Sequence, residues 1–288
     1  MAVILVTGAN GQLGSEIRAA SKNYYGYDFI FTDIDTLDIS SAEDCAAFIQ
    51  SNSPDWIINC AAYNLVDKAE SDPDRAMAVN SKAVKNIAEA IRGSDTRLIH
   101  LSSDYVFDGE ANAPYKEDAV TNPQGAYGRS KLEGEKAALL HNGTMVIRTS
   151  WLYSSYGANF VKTILSKAKE KDSLKVVYDQ TGTPTYAADL GDAILNIVSG
   201  VIRNRMAFTS GIYHYSNEGV CSWYDLAKEA LKEAEINCKV YPILSNEYPS
   251  AVKRPSYSVL DKSKIKETYN IEIPHWRDSL KRCIKLII

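Results

Sequence analysis

Ala2-Val3-Ile4-Leu5-Val6-Thr7-Gly8-Ala9-Asn10-Gly11-Gln12-Leu13-Gly14 is the stretch that decides the fold. Residues 2–6 are continuously apolar and rich in β-branched side chains, the pattern of a strand covered on both faces in a parallel sheet. Three glycines spaced Gly-x-x-Gly-x-x-Gly follow at once, and then an amphipathic segment as far as Ser21. Strand, glycine turn and helix in that order are what a dinucleotide-binding loop requires. Glycine permits the tight turn and lets backbone approach a pyrophosphate. The start of the helix then offers unpaired N–H groups and partial positive charge to the anion. Gly8, Asn10, Gly11, Gln12 and Leu13 are therefore candidate cofactor-binding residues.

The next segments extend the pattern. Residues 27–32 predict a second buried strand, ending at Asp33. An acidic residue about 20 positions beyond the glycine loop is placed to hydrogen-bond the adenosine ribose, a role for which Asp35 competes. The same carboxylate repels a 2′-phosphate, so Asp33 slightly favours NADH over NADPH. After Leu37-Asp38-Ile39, Ser40 or Ser41 with Glu43 or Asp44 predicts a capping box for a helix ending near Ser51. Residues 56–59 predict a third strand, and the small Ala61 and Ala62 before Tyr63 leave room for a ligand against the backbone. A long helix is expected over 73–91, closed by Gly93, with Asn80 inside it. Asp38, Ile39, Ala61, Ala62, Tyr63 and Asn80 complete the cofactor-binding set. A fourth strand over 97–101 makes the order βαβαβαβ. The expected fold class is α/β, a doubly wound parallel sheet of Rossmann type with a smaller α+β substrate-binding lobe.

Ligands of such sheets sit beyond the carboxyl ends of the strands, near the switch in strand order. Ser103 stands there, at the end of the fourth strand, placed to offer a hydroxyl to a carbonyl oxygen. The connection from there to Pro123 carries no clear helix, and loops of that length are commonly functional. A helix over 126–140 then begins after the breaker Asn122-Pro123-Gln124-Gly125 and carries Tyr127 and Lys131, four residues apart on one face. A free phenol is a poor proton donor near neutrality. An ammonium close by stabilises the phenolate and is expected to lower its pKa. Ser103, Tyr127 and Lys131 are the candidate catalytic residues.

Composition narrows the class. A net charge of -4 argues against a nucleic-acid partner held by bulk electrostatics. Five scattered cysteines without a Cys-x-x-Cys pair suggest reduced thiols, and no apolar run reaches membrane-spanning length, so a cytoplasmic, soluble protein with no membrane partner is expected. The four histidines show no ligand spacing.

Taken together, these motifs resemble the extended short-chain dehydrogenases/reductases, nucleotide-sugar reductases in particular. The resemblance rests on residues 6–14, Ala61-Ala62-Tyr63 with Val66-Asp67-Lys68-Ala69-Glu70, residues 102–108, and 127–135. Residues 148–153, Asp179-Gln180 with Gly182-Thr183-Pro184-Thr185, and Arg254-Pro255 complete it. It implies reduction of the C4 ketone of a dTDP-linked 6-deoxy-4-keto sugar by NADH or NADPH, with Ser103, Tyr127 and Lys131 as catalytic triad. The family often has Thr where Ser103 stands, and a hydroxyl is kept either way. Some members bind magnesium through glutamates at a dimer contact; Glu16 matches one, but Ala188 falls at the second, so no metal site is expected. Asn64 stands where a small hydroxyl residue is common. The resemblance allows a homodimer.

Residues 1–150, with 172–205 returning to them, are expected to bind the coenzyme, and 151–171 with 206–288 to form most of the substrate lobe. Within these, 174–177 is expected to close the sheet. Asp104, Tyr105, Trp151 and Arg254 are the substrate-binding candidates; the fork of donors on Arg254 suits a diphosphate. Two rival functions share the motifs. A nucleotide-sugar epimerase or dehydratase would share the glycine loop and the Tyr-Lys pair; a dehydratase needs a further acid/base pair, for which Asp104 is present but Tyr105 stands where Glu is expected. A non-catalytic NADP-binding regulatory subunit would not need Ser103, Tyr127 and Lys131 intact.

Overall fold

The computed structural model describes residues 1–249 and 252–288. Its centre is a six-stranded sheet, built from β1 (Ala2–Thr7), β2 (Tyr27–Thr32), β3 (Trp56–Asn59), β4 (Arg97–Ser103) and β5 (Thr144–Thr149), with Gly211–His214 as sixth strand. All neighbours run parallel, and the order across the sheet is Gly211–His214, β5, β4, β3, β1, β2. The chain leaves β1 in one direction to reach β2 and in the other to reach β3, β4 and β5. The crevice of a doubly wound sheet therefore opens between β1 and β3.

Alternation along β1 shows how the sheet is covered. Ile4 and Val6 face a cluster with Leu13 and Ile17 of α1 (Gln12–Ser21) and with Leu190, Ile194 and Val198 of the helix Ala187–Ile202. Leu5 faces the other way, onto Ile49, Val84, Ile87 and Ala137. Side chains of a strand alternate, so both faces of β1 are apolar because both are covered. The helix α2 (Ala42–Asn52) starts at Ser41, whose hydroxyl accepts the Asp44 N–H; the reciprocal half of the expected capping box is not formed.

The helix expected over 73–91 is not uniform. It runs as α3 (Pro73–Met77), a π-helical turn (Ala78–Lys82) and α4 (Ala83–Ala90). The π turn presents Asn80 inward, where its amide accepts the Tyr63 N–H at 2.8 Å and donates to the Tyr63 carbonyl at 3.1 Å and to Ser130 Oγ at 2.9 Å. An inserted residue of this kind re-aims a side chain at a cost the surrounding contacts must offset. The helix carrying the Tyr-Lys pair, α5 (Ala126–Ala138), packs against this turn at Gly134, where a Cβ would fall on the Asn80 carbonyl oxygen.

Two strands change places relative to the sequence reading. Ser173–Val177 does not close the sheet; it pairs in parallel with Lys239–Ile243 as a separate two-stranded ribbon. The central sheet is instead extended by Gly211–His214, within the stretch assigned to the substrate lobe. Lys175 gives the physical reason, for its side chain is exposed between the buried Leu174 and Val176. A strand with one wet face suits a ribbon, whereas an interior parallel strand is dry on both sides. Ser173–Val177 lies over a second core with Tyr153, Val161, Leu165, Leu226, Trp276 and Leu280.

Candidate active site

The glycine turn is fixed by contact rather than by side chains. Gly8 has φ +64°, and a Cβ there would lie 2.5 Å from the Ala61 nitrogen. β1 and the segment after β3 thus meet backbone to backbone, which no larger residue allows. Gly11 caps α1 without any side-chain hydrogen bond, leaving first-turn N–H groups open to an anion.

Two cavities open from this turn and meet. One, about 440 Å³, is lined by Gly8, Asn10, Gly11, Asp33, Asp38, Ile39, Ala61, Ala62 and Tyr63. The other, about 540 Å³, is lined by Gly11, Gln12, Leu13, Ser103, Asp104, Tyr105, Tyr127, Lys131, Trp151 and Arg254. Gly11, Cys60, Ala62 and Asn64 belong to both, so the two form one bent cleft. Of the sequence-derived candidates, Asn80 and Asp35, the rival of Asp33 for the ribose, line neither. Asn80 is buried behind the cleft and clamps the main chain of Tyr63.

At the outer end of the cleft, Asp33 Oδ2 accepts the Asn10 N–H and Oδ1 accepts the Ile34 N–H, each at 2.8 Å. The carboxylate ties the glycine turn to the end of β2 while still facing the cavity. Asp38 Oδ1 accepts from Ser40 Oγ at 2.6 Å and from its N–H at 2.9 Å, which holds that carboxyl below its ordinary range.

At the inner end, Ser103 Oγ donates to Asp104 Oδ1 at 2.8 Å and accepts the Tyr105 N–H at 3.2 Å. The Tyr127 hydroxyl donates to Asn64 Oδ1 at 3.3 Å, and its ring meets that of Tyr105 edge-on with centroids 5.4 Å apart. Lys131 Nζ donates to the Leu101 carbonyl at 2.6 Å. Burial lowers the Lys131 ammonium to about 8 and raises the Asp104 carboxyl to about 6. The expectation that a neighbouring ammonium lowers the Tyr127 phenol is corrected here. Burial, with lesser contributions from Asp104 and Tyr105, raises it well above 10, against the opposing influence of the neighbouring Ser103 hydroxyl. The ammonium is turned to a carbonyl, and the low-dielectric surroundings decide.

Trp151, at φ +47°, stacks on Trp223 at 3.6 Å and forms one wall of the inner cavity. Arg254 reaches the same cavity with Nη2 donating to Asp67 Oδ2 at 2.9 Å, and its buried Nε has no hydrogen-bond partner among the described residues. The reading from motifs did not assign Asn64 to Tyr127, nor the Leu101 carbonyl to Lys131. These partners lie 63 and 30 residues away in sequence, and a backbone carbonyl carries no residue-type signal.

The fold and the cleft define a dinucleotide-dependent oxidoreductase of the short-chain type. More narrowly, the chain belongs to the family described as the RmlD substrate binding domain, whose model matches residues 1–288. It is 39% identical over 288 residues to dTDP-4-dehydrorhamnose reductase of Aggregatibacter actinomycetemcomitans, covering 98% of this chain and 98% of that protein. A crystal structure of a dTDP-4-dehydrorhamnose reductase from Clostridium acetobutylicum superposes with a TM-score of 0.92 at 41% identity, covering 99% of both chains. Another, from Bacillus anthracis in complex with NADP, gives 0.93 at 36% identity, again over 99% of both chains.

Proposed function

We propose that this chain reduces the C4 ketone of dTDP-4-dehydro-L-rhamnose to dTDP-L-rhamnose with NADH or NADPH. The observation that carries the reading is the meeting of Ser103, Tyr127 and Lys131 with the glycine turn along one cleft. The residues present fit a nicotinamide coenzyme: an uncapped helix start, a backbone contact at Gly8 that a Cβ would fill, and acids at the end of β2. The coenzyme supplies hydride when bound. Tyr127, protonated in its buried setting, gives its proton to the oxygen of the reduced carbonyl. Ser103 donates a hydrogen bond to that oxygen, exchanging Asp104 for substrate as acceptor. Lys131, its ammonium on the Leu101 carbonyl at the cleft, brings positive charge to the coenzyme ribose.

Arg254 and the wall made by Trp151 receive the nucleotide-sugar, with Asp104 and Tyr105 beside the reacting carbon. Asp33, facing the outer cavity, favours a free ribose diol and hence NADH by a small margin. Five unpaired cysteines suit a reducing, cytoplasmic setting. Tyr105 in place of an acid speaks against a dehydratase, and the intact Ser103, Tyr127 and Lys131 against a purely regulatory subunit. The deciding experiment follows NADH and NADPH oxidation with freshly prepared dTDP-4-dehydro-L-rhamnose. Turnover supports the proposal. Folded protein that oxidises neither coenzyme refutes it.

A further inference from the structure

Successive residues at the end of β4 are tied to α5. The Leu101 carbonyl accepts from Lys131 Nζ at 2.6 Å, and Ser102 Oγ donates to Glu135 Oε1 at 2.5 Å. Ser103 then lines the inner cavity with Tyr127. Glu135 has no part in the chemistry described above, yet it stands one helical turn beyond Lys131, on the same face. It is gripped from β5 as well. Arg148 Nε donates to Glu135 Oε1 at 2.8 Å and Nη2 to Oε2 at 2.7 Å, a two-pronged pair with both side chains 2% exposed. Arg148 Nη1 donates in turn to the Glu117 carbonyl at 3.2 Å, and the guanidinium lies 5.0 Å from the centre of the Phe107 ring. The helix, two strand ends and the long loop before Pro123 are thus gathered around one buried carboxylate.

We infer that Glu135 is a positioning residue for the reaction, the buried counter-charge that holds the Lys131 ammonium in place at the coenzyme ribose; the inference rests on the coenzyme reading above. Stability alone is a weak reason for such a pair, because buried ions lose in desolvation much of what they gain by attraction. Its place beside Lys131 supplies a stronger one. Burial lowers that ammonium to about 8, and Glu135, ahead of Cys60, acts in the opposite sense. The other titratable groups around Lys131 stay uncharged over this range. Burial pushes the Cys60 thiol, just after β3, up to about 12 and holds His100 of β4 well below the ordinary histidine value. Tyr127, on α5 itself, keeps its proton. Among the described residues, Glu135 is therefore the anion that favours the charged form of Lys131.

Glu135→Gln alone strands the Arg148 guanidinium in the core. The test therefore uses the full chain with Glu135→Gln and Arg148→Met together, which removes both charges at similar volume. NADH affinity is followed by fluorescence as pH is raised, without any sugar substrate. In the unaltered chain it should fall with a midpoint near 8, as Lys131 loses its proton. In the double variant the midpoint should move down by about one pH unit, since an opposite charge that favoured the ammonium is gone. Ser102→Ala cuts the tie to β4 but keeps both charges, and should leave the midpoint where it was. An unmoved midpoint in the double variant overturns the inference. So does an equal displacement in Ser102→Ala, which would report loosened packing, or an affinity in the unaltered chain that does not fall at all. If the unaltered chain binds no NADH, the oxidoreductase reading falls and takes this inference with it. If it binds NADH and turns over no sugar, only the substrate assignment is lost, and the binding midpoints still decide.

Discussion

The Tyr127 hydroxyl donates to Asn64, not to or from Lys131, although Tyr127 and Lys131 share a helical face. The phenol therefore rests as a buried acid with its proton on, the form that reduction consumes. Tyr127→Phe removes that proton and keeps the ring against Tyr105. Ketone reduction should fall by about a hundred- to ten-thousandfold, the usual contribution of a positioned acid. Coenzyme binding, followed by fluorescence, should persist. Turnover close to that of the unaltered protein would remove Tyr127 from the mechanism.

On the proposed mechanism, Lys131 is expected to set the alkaline limit. Its ammonium is lowered to about 8 by burial, while the phenol stays protonated to well above that. The first loss of kcat/KM on raising pH should come from the lysine, with a midpoint near 8. Initial rates over the alkaline range check this. A rate that holds until the phenol itself ionises would show that the ammonium is not needed.

Gly134 offers a test of how α5 is seated. It meets the Asn80 carbonyl, and Asn80 in turn holds Tyr63 at the cleft. Gly134→Ala should destabilise the chain by about 1–3 kcal/mol, the range for overpacking a tight contact, despite the better helix propensity of alanine. Urea unfolding measures it; a stabilised variant would show that the helix has room to move.

How much of this was legible in the sequence follows from what local pattern encodes. β1, the glycine turn, β2 with Asp33 and the Tyr127-Lys131 pair all declare themselves within a few residues of one another. Their spacing is imposed by one turn or one helix face. The sixth strand, Gly211–His214, lies in the stretch expected to form most of the substrate lobe, and four residues that begin with a glycine carry no mark of which sheet they join. At Asn80 the sequence gives polarity but not the π turn that aims its amide at the main chain of Tyr63. The resting partners of Tyr127 and Lys131 come from distant segments, so only the fold reveals that the phenol is raised rather than lowered.

Asp104 yields the prediction with the clearest sign. Its carboxyl is buried and raised to about 6, against an ordinary value near 3.9 in an unfolded chain. The folded state thus binds this proton more tightly than the unfolded one does. The associated stability is fully present below about pH 4 and is lost as pH rises through 6, where the folded protein must bury a charge. Asp104→Asn keeps an acceptor for the Ser103 hydroxyl but cannot ionise. The melting temperature of the variant, relative to the unaltered protein, should therefore climb between acid and neutral pH and level off above the Asp104 midpoint. Thermal unfolding of both proteins in matched buffers decides it. A difference that does not change with pH, or that shrinks towards neutrality, would mean that Asp104 is ionised in the fold at no penalty and is not the buried acid described here.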